Sequence, residues 1–212
     1  MRNLRHFLGS LIFLVAGSAT GAGVYEDMLH AVNNDDTQTV SRLLQRGMDV
    51  NTVDAKGDSL LMLAARIGKP EMVKAILGAR PRINTRNALG ETALMLAAFN
   101  GHTEAVRLLL AQDAEINHPG WNPLIYAATR NRMDIARILI ARGAQVNSQA
   151  ENGTTPLMMA AREGHLPMVL LLLEHGAEIN HRTLAGHTAL GLAQAQGRRD
   201  VIDTLTRAGA IE

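Results

Sequence analysis

At 212 residues with 47% hydrophobic side chains, the chain is long enough to bury a sizeable core and too apolar to be an intrinsically disordered protein. It has no cysteine, which excludes disulfides, thiolate metal sites and the lipid-bearing cysteine of a bacterial lipoprotein. Aromatics make up only 3%, so the core must be built from Leu, Ile, Val, Met and Ala, the residues of helix-on-helix packing, and an all-α class is expected.

The N-terminus reads Met1-Arg2-Asn3-Leu4-Arg5-His6, then an apolar run from Phe7 to Ala16, then the small residues Gly17 to Ala22. A positive start, an apolar stretch of about ten residues and a small-residue zone form the layout of a secretory signal peptide. Residues 1 to 22 are therefore predicted to be a leader cleaved after Ala22, with Thr20 and Ala22 at the two recognition positions. An uncleaved membrane anchor is disfavoured, because the apolar run falls short of the roughly 20 residues that span a bilayer. An exported chain without cysteine fits the bacterial periplasm, with no membrane attachment after cleavage. Loss of Arg2 and Arg5, the only charged side chains in the leader, turns the formal charge from +1 to −1. A near-neutral chain has no electrostatic footprint for nucleic acid, so nucleic acid is excluded as a partner.

From residue 23 onward the sequence repeats itself. Ala64-Ala65, Ala97-Ala98, Ala127-Ala128 and Ala160-Ala161 recur at spacings of 33, 30 and 33. Asn51, Asn84, Asn117, Asn147 and Asn180 follow at 33, 33, 30 and 33. Two markers that shorten together indicate one deletion, placed between Asn117 and Leu124. Within each unit Ser59, Thr92, Asn122, Thr155 and Thr188 are predicted to cap a helix, with Pro123 and Pro156 entering at its first turn. The alanine pair gives that helix a smooth face for its neighbour. Gly101-His102 breaks the chain, and Val106, Leu108, Leu109 and Leu110 form the apolar side of a second helix. Gly47, Gly143, Gly176 and Gly209 supply the left-handed residue after it. Arg80 and Asp113 stand at that position in two units, where Arg80 is expected to cost about 1 kcal/mol.

The fifth unit reads Gly153-Thr154-Thr155-Pro156-Leu157, then Ala160-Ala161, Gly164-His165, and Leu172-Leu173-Glu174-His175-Gly176-Ala177-Glu178-Ile179-Asn180. This pattern resembles the ankyrin repeat, and the resemblance spans about residues 25 to 212. It implies an all-α ankyrin-repeat solenoid of about six units with projecting hairpin fingers, the units running 23–51, 52–84, 85–117, 118–147, 148–180 and 181–212. The family's histidine after Pro-Leu is replaced by Met62, Met95, Ile125, Met158 and Gly191, so its local hydrogen bonds are expected to be missing. His118-Pro119-Gly120-Trp121 leaves room only for a truncated fourth finger.

No catalytic motif is present: there is no G-x-S-x-G, no H-E-x-x-H and no P-loop, so no enzyme activity and no cofactor are expected. His102 and His165 are assigned to bonding between loops rather than to metal. His118 and His181 follow the repeat asparagines, and no metal site is assigned to them. The ten methionines are expected to fill gaps between stacked helices, with copper or oxidant handling as the alternative function.

The resemblance implies a non-catalytic, monomeric module that binds another protein, meeting it with the finger tips and the groove positions after the alanine pair. Projected onto this chain, these give Arg66, Phe99, Asn100, Arg130, Arg162 and Glu163 in the groove, and Lys56, Leu89, Glu91 and Trp121 on the fingers. Asp58 and Thr154 fall among the finger positions too. Exposed aromatics and arginines dominate interface energetics, which makes Phe99, Trp121, Arg66, Arg130 and Arg162 the expected hot spot. Tyr126, at a core leucine position, is expected to be structural.

Overall fold

The computed structural model describes residues 16–211, with side chains from residue 23. The predicted leader lies outside the described residues, apart from the backbone of residues 16–22, which continues into the first helix. Among the described residues there are twelve helices, no strand and one isolated antiparallel bridge, Val53 to Ser59. The inner helices are α1 (Ala16–Asn33), α3 (Leu60–Ile67), α5 (Ala93–Asn100), α7 (Pro123–Thr129), α9 (Pro156–Glu163) and α11 (Ala189–Ala195). Each pairs with the outer helix that follows: α2 (Thr37–Gln45), α4 (Pro70–Gly78), α6 (Thr103–Leu110), α8 (Met133–Ala141), α10 (Leu166–Glu174) and α12 (Arg199–Arg207). No helix among the described residues is long and apolar enough to cross a membrane.

Helices of seven to nine residues are too short to stand alone in water, so their ends must be fixed. Ser59, Thr92, Asn122, Thr155 and Thr188 do this as expected, each accepting a backbone N–H from the first turn at 3.0 to 3.3 Å. In two units the replaced histidine has a substitute. The Ser59 and Thr92 N–H groups donate to the thioether sulfurs of Met62 (3.4 Å) and Met95 (3.2 Å), closing a reciprocal cap that the sequence reading had taken to be absent.

The alanine pairs at 64–65, 97–98, 127–128 and 160–161 are fully buried, and from α3 to α11 the inner helices stack on one another through them more closely than the outer helices do. Gly68 shows how tight the approach is. Its φ is +82°, and a Cβ there would lie 2.1 Å from the His102 ring.

Polar groups tie each unit to the next. The side-chain oxygens of Asn51, Asn84, Asn117, Asn147 and Asn180 accept the N–H groups of Arg82, Glu115, Gln145, Glu178 and Ile211 at 2.8 to 2.9 Å. His102 and His165 donate from Nε2 to the carbonyls of Arg66 (2.9 Å) and Thr129 (3.1 Å), and Arg132 and Arg198 reach the carbonyls of Phe99 and Arg162 in the same way. The histidines of the Gly-His step therefore join units, as the sequence suggested. Arg80 and Asp113 adopt left-handed φ values of 56° and 57°, again as expected.

Seven of the methionines, at 28, 62, 72, 95, 158, 159 and 168, are buried, and Met48 and Met133 are half-buried. They fill the space between helices, where a thioether is shielded from solvent.

Candidate functional site

The fingers are set by local side-chain hydrogen bonds. Asp54 accepts the N–H groups of Lys56 (2.8 Å) and Asp58 (2.9 Å), and Asn87 accepts those of Leu89 (3.0 Å) and Glu91 (2.9 Å), the folded turns that Asx residues favour. Backbone pairs close four fingers at 54–58, 87–91, 150–154 and 183–187, each with the first N–H on the last carbonyl at 2.9 to 3.0 Å. The fourth unit passes the same point with only Pro119-Gly120-Trp121.

Beneath the fingers, a line of side chains crosses three units. Arg66 donates to Asp58 at 2.7 Å; the other oxygen of Asp58 accepts from Asn87 at 2.7 Å. Asn87 also donates to Glu91 at 2.9 Å, and the Tyr126 hydroxyl donates to the other Glu91 oxygen at 3.0 Å. From Tyr126 the line becomes aromatic. Its ring meets Phe99 edge-on with centroids 5.6 Å apart, and Trp121 likewise at 5.5 Å. The Arg130 guanidinium rests over Phe99, 4.9 Å from the ring centre. Trp121 packs its other side on Ile125, Ala150 and Met159, filling part of the space left by the short finger. Burial pushes the Tyr126 phenol well above its ordinary value; the Glu91 charge and hydrogen bond, and then Glu151, push it the same way. The phenol is thus held as a donor.

The remaining expected positions are distributed around this line. Lys56 is exposed at its finger tip, and Leu89 projects with 83% of its surface free. Asn100 donates back to the Leu96 carbonyl of its own helix at 2.8 Å. Arg162 is engaged by Glu163 at 2.8 Å. A concavity of about 340 Å³ beside them is lined by Asn152, Met159, Arg162, Leu184, His187 and Leu192, among others.

A family model described as ankyrin repeats (3 copies) matches residues 61–150 and 143–211, and one described as ankyrin repeats (many copies) matches residues 28–77. The chain belongs to the ankyrin-repeat family. Ankyrin repeats generally mediate protein-protein interaction and are typically non-catalytic.

Against the sequence reading, two finger positions change place. Asp58 and Thr154 are buried rather than displayed on their fingers, because each turns in beside its helix cap. Tyr126, expected to be structural, is half-buried and joins Phe99 and Trp121 at the centre of the aromatic row. An aromatic at a position that is otherwise Leu or Met, five residues after the one shortened finger, was the available signal. Among the described residues no group of three or more His, Cys, Asp or Glu side chains converges to hold a metal ion.

Proposed function

We propose that this chain is an exported, periplasmic protein-binding module that holds a partner in the groove around its shortened fourth finger, and so protects, inhibits or stabilises that partner. The observation that carries the reading is the half-exposed aromatic row Phe99, Tyr126 and Trp121, unroofed where a finger is missing and flanked by Arg130. Aromatic rings and arginines fixed on a rigid scaffold are what interfaces use as anchors. Export is supported by the positive, apolar and small-residue order of residues 1 to 22.

The test is capture of a partner from a periplasmic extract by the purified protein, compared with a Phe99→Ala/Trp121→Ala variant whose circular dichroism and melting are first shown to match wild type. The capture should fall at least about tenfold, the loss of two anchors of ~1 kcal/mol or more each. Equal capture by both proteins would remove the aromatic row from the interface. Intact mass of the protein from the periplasmic fraction checks export, with Gly23 expected as the first residue.

A further inference from the structure

Four carboxylates line the region of the groove between the second and fifth units, and they are not equivalent. Asp58 is bound by Arg66 and Glu163 by Arg162. Glu91 receives only neutral donors, the Asn87 amide and the Tyr126 hydroxyl, and no ion pair is formed by it or by Glu151 among the described residues. Glu151 is exposed at its finger tip, yet its carboxylate leans toward the short finger: an oxygen of it lies 2.1 Å from where a Gly120 side chain would begin. The absence of a side chain at Gly120 lets that carboxylate settle over the short finger, where its charge is felt by Tyr126. The two uncompensated charges therefore belong to the two fingers that border the gap, with the Tyr126 and Trp121 rings between them.

The finger stack is broken at the same place. The fingers at 150–154 and 183–187 are joined, Leu184 N–H donating to the Asn152 carbonyl at 3.0 Å. The fingers at 54–58 and 87–91 also touch, a Cβ on Gly57 falling 3.4 Å from the Ala88 nitrogen. Between these two pairs the fourth unit contributes only three residues, Pro119 to Trp121.

Resting on the reading of this groove as a protein-binding face, we infer that the gap receives a basic side chain, arginine or lysine, presented by an extended segment of the partner protein that occupies the place of the missing finger tip. Ring faces and carboxylates both carry negative potential, so a cation is attracted by the floor and by both walls at once. Arg130 on Phe99 shows the same contact made within the chain at the far end of the row. An acidic side chain in the gap would meet two like charges, and an apolar one would cover two carboxylates without compensating them.

The probe is a displayed library of random linear peptides selected at low salt against the purified full protein. The enriched sequences should share an Arg or Lys. A synthetic copy of the leading sequence should alter the emission of Trp121, the only tryptophan in the chain. Its affinity should fall about 5-fold for Glu151→Gln and again for Glu91→Gln, and decline as salt is raised. Glu151 is exposed, so its variant keeps the fold even if Glu91→Gln disturbs Tyr126. Enriched sequences with no shared basic residue, or peptides that bind both glutamine variants as tightly as wild type, would overturn the inference and leave the protein-binding module standing. A selection that enriches nothing would overturn the groove reading as well.

Discussion

Replacing Arg66 should harm the protein more than replacing the acid it binds. Asp58 is only 2% exposed in its side chain and has two donors, Arg66 and Asn87, both at 2.7 Å, whereas Arg66 is 39% exposed. In Arg66→Met a buried carboxylate keeps a single neutral donor. Breaking a fully buried pair costs about 3–5 kcal/mol; the retained Asn87 bond and the half-exposed cation lower this to about 2–3 kcal/mol. In Asp58→Asn the guanidinium turns to water and the new amide still accepts from Asn87, so the cost is about 1 kcal/mol. The double variant should then cost about as little as Asp58→Asn alone, a coupling of about 2 kcal/mol. Urea denaturation measures this, followed by Trp121 emission and far-UV circular dichroism together, since a repeat array unfolds in one step only while its units remain coupled. An Arg66→Met variant no less stable than Asp58→Asn, or a double variant with additive costs, would refute the reasoning. The outcome bears on the groove too, because an Arg66 variant that loses its partner must first be shown to have kept its second finger.

Arg80→Gly should raise stability by about 0.5–1 kcal/mol: the left-handed φ of 56° costs a side-chain residue 1–2 kcal/mol, the greater freedom of unfolded glycine returns part of it, and exposed Arg80 gives up no buried contact. A lower urea midpoint would count against it. Tyr126 should ionise only above its ordinary value of 10.0, burial being the first cause and Glu91 the second. Because the folded value is raised, the protonated phenol stabilises the fold fully below pH 10.0, and that contribution is lost as pH climbs toward the folded value. Alkaline denaturation should accordingly be steeper for wild type than for Tyr126→Phe, and the difference between their tyrosinate absorbance curves should show no step at the ordinary value; a step there would refute the buried hydrogen bond to Glu91.

The fold was legible because each of its rules acts over a few residues. A cap at Thr92, a left-handed turn at Gly101 and a small pair at Ala97-Ala98 are each dictated by local backbone needs, and their recurrence multiplies a weak local signal. The groove was legible in outline, since Phe99, Trp121 and Arg130 do converge. What escaped was pairing between units. Arg66 meets Asp58 within one unit, but the passage of Asn87 from Asp58 to Glu91 and the reach of Tyr126 to Glu91 across 35 positions depend on how one unit is set against the next, which no window within a repeat contains.

Tyr126 shows how one deletion produces a site. Its counterparts Leu63, Leu96 and Met159 are only 5%, 5% and 3% exposed, each in a unit with a closed finger and a further unit stacked on it, while Leu192 in the last unit is half-buried. The fourth unit lacks one, so a residue at the same helical position faces open space, and an apolar side chain there would remain in contact with water. Tyrosine answers both demands: its ring completes the row between Phe99 and Trp121, and its hydroxyl reaches the Glu91 carboxylate of the previous unit. Trp121 fills part of the space against Met159 and Ala150. The three missing residues thus account for the position of both rings, for the approach of Glu151 to Gly120, and for two carboxylates without an ion pair on the fingers that border the gap. Restoring a full-length finger at the fourth unit would close all of these at once while leaving the helix stack unchanged.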